Sequence, residues 1–170
     1  FDAMRKLQQL QPRLERMIGG YSAELYPLHI MSALLIQTGE EVILELGAGV
    51  GRNTLFLASL LKHEEKQLVS MECNHKYSRL LQQNKRMYQK KFHTESSALS
   101  KQPLVQRRDK TESLVQHRMI PGSRRITHMS WTDLQNKYKA MKFDTLIVDC
   151  EGAFAQRSEE HTSELQSRGL

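Results

Sequence analysis

Two carboxylates and a glycine-rich turn stand at spacings that could seat a nucleotide. The turn is Gly47, Ala48, Gly49, Val50, Gly51. Missing side chains there let the backbone approach a ligand, and the helix that follows offers unpaired N–H groups at its N-terminus. Glu45 lies two residues before the first glycine, in an otherwise apolar run. An unpaired carboxylate is costly to bury, so Glu45 needs a cationic or hydrogen-bonding partner. Glu72 closes the next apolar run, about 20 residues beyond the turn, where a carboxylate reaches ribose hydroxyls in nucleotide-binding α/β sheets. A nicotinamide fingerprint, G-x-G-x-x-G, would require its third glycine at Arg52, and a bulky cation there spoils close helix-to-strand packing. A ligand with positive charge next to its sugar suits Glu45 better than a pyrophosphate does. S-adenosylmethionine, with an ammonium and a sulfonium, is such a ligand.

The elements that must position these residues follow from hydrophobic periodicity. Val42 to Leu46 reads as a buried strand, and Asn53 to Lys62 as a helix with Leu55, Ala58, Leu60 and Leu61 at helical spacing. Gln67 to Met71 is a second strand, and His75 to Lys90 a polar helix anchored by Leu80, Leu81 and Met87. Phe92 to Ser96 is a weak third strand. Ser130 and Asp133 form a capping box for a helix from Trp131 to about Met141, and Phe143 to Val148 is a fourth strand. This alternation predicts an α/β fold, a parallel sheet with helices on its faces. Ahead of it stand two helical stretches, Asp2 to Met17, interrupted by Pro12, and about Leu28 to Gln37, where Leu28, Met31, Leu34 and Leu35 mark an apolar face. Residues 97–125 carry few core residues, with an irregular strand or a hairpin near Leu114 to His117.

The segment VILELGAGVGRNTLFLA resembles motif I of class I S-adenosylmethionine-dependent methyltransferases, and VSMEC resembles their acidic strand-two motif. FDTLIVDCEGAF is similar to the DLLKIDVEGAE signature of the FkbM-like family, with Asp149, Glu151, Gly152 and Ala153 matching. MECNHKYSRLLQQNKRMY is similar to the family's E-P-N-P followed by L-x-x-N, through Glu72, Asn74, Leu81 and Asn84; SSALS and ITHMSWTDLQ are also consistent with it. The resemblance covers roughly Gly39 to Ala155. Cys73 replaces the usual proline, Phe154 a second glutamate, and Ser96 or Ser97 stands where many relatives present Asp or Asn to adenine.

The resemblance implies a Rossmann-like three-layer sandwich with strand order 3-2-1-4 and further strands beyond, which are missing here. It implies S-adenosyl-L-methionine as cofactor, held by Glu45, Gly47, Ala48, Gly49, Gly51, Asn53, Glu72, Cys73, Ser97 and Asp149. It implies O-methylation of a small molecule or glycan hydroxyl, with Asp149 or Glu151 taking the proton. The alternative is that both carboxylates only hydrogen-bond backbone at the strand end. In that strand order Cys73 and Cys150 lie ~10 Å apart, at ~4.8 Å per strand step, beyond the ~7 Å limit for a disulfide, and should remain thiols.

Composition bounds the remaining choices. With 170 residues, 39% of them apolar, the chain suffices for one core. The sequence separates into an N-terminal helical segment (1–38), a partial methyltransferase domain (39–156) and a tail (157–170). That tail, RSEEHTSELQSRGL, has no apolar periodicity and resembles translated sequencing-adapter read-through, so it is expected to be non-native or disordered. The whole chain's 25 basic and 19 acidic residues give a net charge of +6, but the basic residues are scattered among acids and amides, as on a solvated surface, without the aromatic interleaving of a nucleic-acid face. No run is long and apolar enough to span a bilayer and no secretory signal is present, so a cytoplasmic location is expected. Oligomeric state is open. His75 and His128 read as surface residues, and no His/Cys/Asp cluster has metal-ligand spacing. Two further readings compete: a cofactor-binding fragment without activity, and a nicotinamide-dependent oxidoreductase.

Overall fold

The computed structural model describes residues 25–101, 103–107, 113–115 and 123–150. The Asp2 to Met17 helix, Glu151 and the tail lie outside the described residues. In chain order the elements are α1 (Leu25–Leu35), β1 (Ile43–Leu46), α2 (Arg52–Leu60), α3 (Glu64–Gln67), β2 (Leu68–Met71), α4 (His75–Met87), β3 (His93–Glu95), β4 (Ala98–Leu99) and β5 (Leu104–Arg107). They continue as β6 (Ser113–Val115), β7 (Ser123–Ile126), β8 (His128–Met129), α5 (Trp131–Lys137) and β9 (Thr145–Val148). No helix among the described residues is long and apolar enough to cross a membrane.

The central sheet is parallel throughout, in the order β3-β2-β1-β9. The strand order expected for the four sequence-predicted strands is therefore present. β1 and β2 are buried at every position, as strands covered on both faces must be. Successive side chains alternate between the faces. Ile43, Leu68 and Ile147 join Leu55, Leu57 and Ala58 of α2, Leu81 of α4 and Phe92 in one core cluster. Leu44, Leu46, Val69 and Met71 join Leu99 and Leu134 of α5 in another, with Trp131, Tyr138 and Phe143 packed against it. The sheet is thus sandwiched between α2 and α4 on one side and α5 on the other. The start of β9 is pinned to β1 by Asp144, whose carboxylate accepts the Val42 N–H at 3.1 and 3.2 Å while its own N–H donates to the Val42 carbonyl at 3.0 Å.

Beyond β3 the described residues form five short strands, β4 to β8. β5 pairs antiparallel with β6 and β7, and β4 pairs in parallel with β8. Leu104 and Ile126 of the small sheet meet Ala98 and Cys73 in a satellite cluster. Two expected faces are corrected. In α1 the inward residues are His29, Ser32, Ala33 and Ile36, whereas Met31, Leu34 and Leu35 are 59%, 54% and 51% exposed. The helix is apolar nearly all round, so spacing alone left its phase ambiguous. In α4, Leu81 is the anchor and Met87 lies outside at the last turn. α5 stops at Lys137, short of the expected Met141.

Candidate functional site

The glycine turn sits at the C-terminal ends of β1 and β2. The N–H groups of Gly47 and Ala48 donate to the Met71 carbonyl at 2.9 and 3.0 Å, which folds the turn across the end of β2. Gly47, Gly49 and Gly51 have φ of 86°, 55° and 94°, a left-handed backbone that side-chain-bearing residues rarely adopt. Their surroundings differ. A Cβ on Gly47 would lie 2.2 Å from the Asp149 carbonyl oxygen, and one on Gly51 would meet Leu81 Cδ1 at 2.6 Å. A Cβ on Gly49 would meet nothing within 4 Å. Gly47 and Gly51 are therefore demanded by the protein's own packing, while Gly49 faces space that no described residue occupies.

Glu72 spans that space from below. Its Oε2 accepts the Gly49 N–H at 2.8 Å and its Oε1 the Asn74 N–H at 2.7 Å. Asn74 in turn caps α4, accepting the N–H groups of Lys76 and Tyr77. Asn84 of α4 donates to the Val50 carbonyl at 2.8 Å, so α4 holds the far side of the turn. Both carboxylate oxygens of Glu72 thus accept from backbone N–H groups beside the turn.

Glu45 is placed differently. Only 2% of it is exposed. Asn53 Nδ2 donates to Oε1 at 2.9 Å, and Thr54 Oγ1 and Ser70 Oγ donate to Oε2 at 2.6 and 2.7 Å. The partner the sequence required is a set of neutral donors from α2 and β2. Ser70 and Thr54 were missed in the sequence, although a polar residue in each of two apolar strands was a signal: Glu45 and Ser70 are register partners. Asn53 is completed from α1, where Ser32 Oγ donates to Oδ1 at 3.4 Å. Asn53 is thus engaged at both ends of its amide and acts by holding Glu45. Burial pushes the Glu45 carboxyl above the usual carboxylate range, the three donors pull it back, and the nearby Asp149 charge pushes it up again.

The remaining candidates lie around this centre. Asp149 is exposed at the end of β9, and its N–H donates to the Leu46 carbonyl at 2.9 Å, beside the turn. Ser97, just beyond β3, is buried and its Oγ has no hydrogen-bond partner. Cys73 packs against the small-sheet cluster and Cys150 against the cluster of α5; both are thiols outside any disulfide. Ala48 is buried within the turn. The end of β3 carries a polar group unseen in the sequence: Glu95 is bound by Lys137 Nζ at 2.6 Å and by the Tyr138 hydroxyl. Burial, with the hydrogen bond and charge of Glu95 added, raises the Tyr138 phenol well above its usual range.

No protein-family model, curated protein or solved structure matches the chain.

The donor set suits a sulfonium nucleoside. The Gly49 backbone, the Glu72 carboxylate beside it and the unpartnered Ser97 hydroxyl are groups that a ribose and a base could use. The Glu45 carboxyl, set back inside the protein, favours a cationic group over a phosphate because a cation would stabilise its ionised form.

Proposed function

We propose that the chain binds S-adenosylmethionine across the turn of residues 47–51 and is a class I methyltransferase of Rossmann-like fold, akin to the FkbM-like family. The observation that carries this reading is the placement of Glu72. It stands just beyond the strand beside β1, with its carboxylate under Gly49, the one turn glycine whose Cβ would meet no described residue within 4 Å. A carboxylate so placed accepts from a vicinal diol, as ribose requires. Glu45 contributes negative potential beneath the turn, and Ser97 a hydroxyl beyond β3 for the base.

The cofactor supplies a methyl group already activated for transfer by its sulfonium. The protein's task is to hold an acceptor in line and keep water out. For a small-molecule or glycan hydroxyl, Asp149 is the base, since it is exposed beside the turn and carries a carboxylate at the mouth of the site. Glu151, the other candidate base, lies outside the described residues.

Isothermal titration of the chain with S-adenosylmethionine and with NAD tests the reading. Binding of S-adenosylmethionine, lost in Glu72→Ala, supports it. A response to NAD alone overturns it in favour of an oxidoreductase. Binding with no methyl transfer to any hydroxyl acceptor reduces it to a cofactor-binding role.

A further inference from the structure

Glu45 is a carboxyl group in a cage of neutral donors. Its three hydrogen-bond partners, Asn53, Thr54 and Ser70, are 6%, 0% and 0% exposed, and none carries charge. The elements packed around it bring little positive charge. β2 presents Ser70, with Glu72 beyond its end, and α2 has Arg52 as its only charged residue. α1 brings His29, which burial holds down at about 4 and therefore neutral. β9 is uncharged until Asp149, an acid that repels Glu45. Ionising Glu45 therefore places a second negative charge beside Asp149 in a dry interior, with no cation among its hydrogen-bond partners from the described residues to offset it.

We propose that Glu45 is protonated in the ligand-free protein and releases its proton when a cationic nucleotide settles on the turn, so that binding is coupled to proton release. The inference rests on the cofactor reading above. In the balance of the step, Glu45 passes from carboxylic acid to carboxylate and one proton goes to the buffer, while the ligand's positive charge takes the proton's place. Thr54 and Ser70 have hydroxyls that rotate to accept from the acid or donate to the carboxylate, so the cage fits both states. A group whose proton affinity falls on binding makes binding tighter as pH rises.

The test is calorimetric titration of the full chain with S-adenosylmethionine in two buffers of unequal ionisation enthalpy, between pH 5 and 7. In that range the ligand's own α-amino group, with a usual pKa of about 7.7–8.0, stays charged. The expected result is a buffer-dependent enthalpy equivalent to release of up to one proton, with affinity rising by up to about tenfold per pH unit. In Glu45→Gln both dependences vanish while binding persists, weakened. S-adenosylhomocysteine, which lacks the sulfonium, should release fewer protons. Infrared difference spectra between the ligand-free protein and Glu45→Gln give an independent readout, a carboxylic-acid carbonyl band lost in the variant. Binding with equal enthalpies in the two buffers and a flat pH profile, or absence of the carboxylic-acid band, overturns the proton coupling and leaves the cofactor reading intact. Failure to bind S-adenosylmethionine at any pH overturns both.

Discussion

Glu45 and Glu72 end neighbouring strands, yet removing them should have opposite consequences. Glu45→Ala strands three buried donors, Asn53, Thr54 and Ser70. Each loss of a buried partner costs about 1–3 kcal/mol, partly relieved by repacking, so a destabilisation of about 2–4 kcal/mol is expected in urea unfolding. Glu72→Gln keeps the shape and leaves backbone N–H groups close to an acceptor. It should cost stability little and weaken S-adenosylmethionine binding about tenfold or more, the worth of one charge-assisted hydrogen bond. A calorimetric titration showing unchanged affinity would remove Glu72 from the site. The sequence already marked Glu45 as a residue in need of a partner. It did not reveal that the partners are hydroxyls and an amide, because that depends on the register of β1 against β2 and on how α2 returns over the sheet, neither of which is encoded locally. His29 illustrates the same limit. Nothing in its sequence neighbourhood announces the stacking on Phe56, with ring centroids 4.5 Å apart, or the burial that holds it at about 4. Its ring should stay neutral in NMR titration down to about pH 4. Because the unfolded chain protonates nearer 6.5, this residue's contribution to stability should be fully present above about pH 6.5 and fall as pH drops toward 4.

At the scale of elements, the turn separates packing from binding. Gly47→Ala adds a left-handed backbone penalty to a Cβ 2.2 Å from the Asp149 carbonyl oxygen, a backbone atom that cannot swing aside. A loss of about 2–4 kcal/mol is expected. Gly49→Ala meets only the conformational penalty, about 1–2 kcal/mol, because its Cβ would enter space that no described residue occupies. Its larger effect should fall on S-adenosylmethionine affinity, and comparison of the two variants by urea unfolding and by titration checks the distinction. The helix ends obey simpler rules. Ser130 and Asp133 close a full capping box on α5, with Asp133 N–H donating to Ser130 Oγ at 3.1 Å. Ser130→Ala should cost about 1 kcal/mol in thermal or denaturant unfolding. This cap was legible because its chemistry spans only four residues. The inward face of α1 was not, since a helix apolar on most sides carries little information about its rotation, and tertiary packing chose the side with His29, Ser32 and Ala33.

For the whole molecule, the alternation of apolar runs and glycine or cap signals was enough to anticipate the parallel sheet, while the order of its strands came from what the resemblance implies. The antiparallel addition formed by β5, β6 and β7 was largely hidden. Its strands are only three or four residues long, too short to show a clear alternation.

The contact of Gly47 with the Asp149 backbone ties the bend to a strand about a hundred residues later. A growing polypeptide that has made β1, the turn, α2, β2 and α4 already owns most of the proposed site but lacks the wall against which its first glycine rests. Because distant segments meet late, at an entropic cost that grows with the loop they close, capture of the ligand should be among the final competences the chain acquires as it folds.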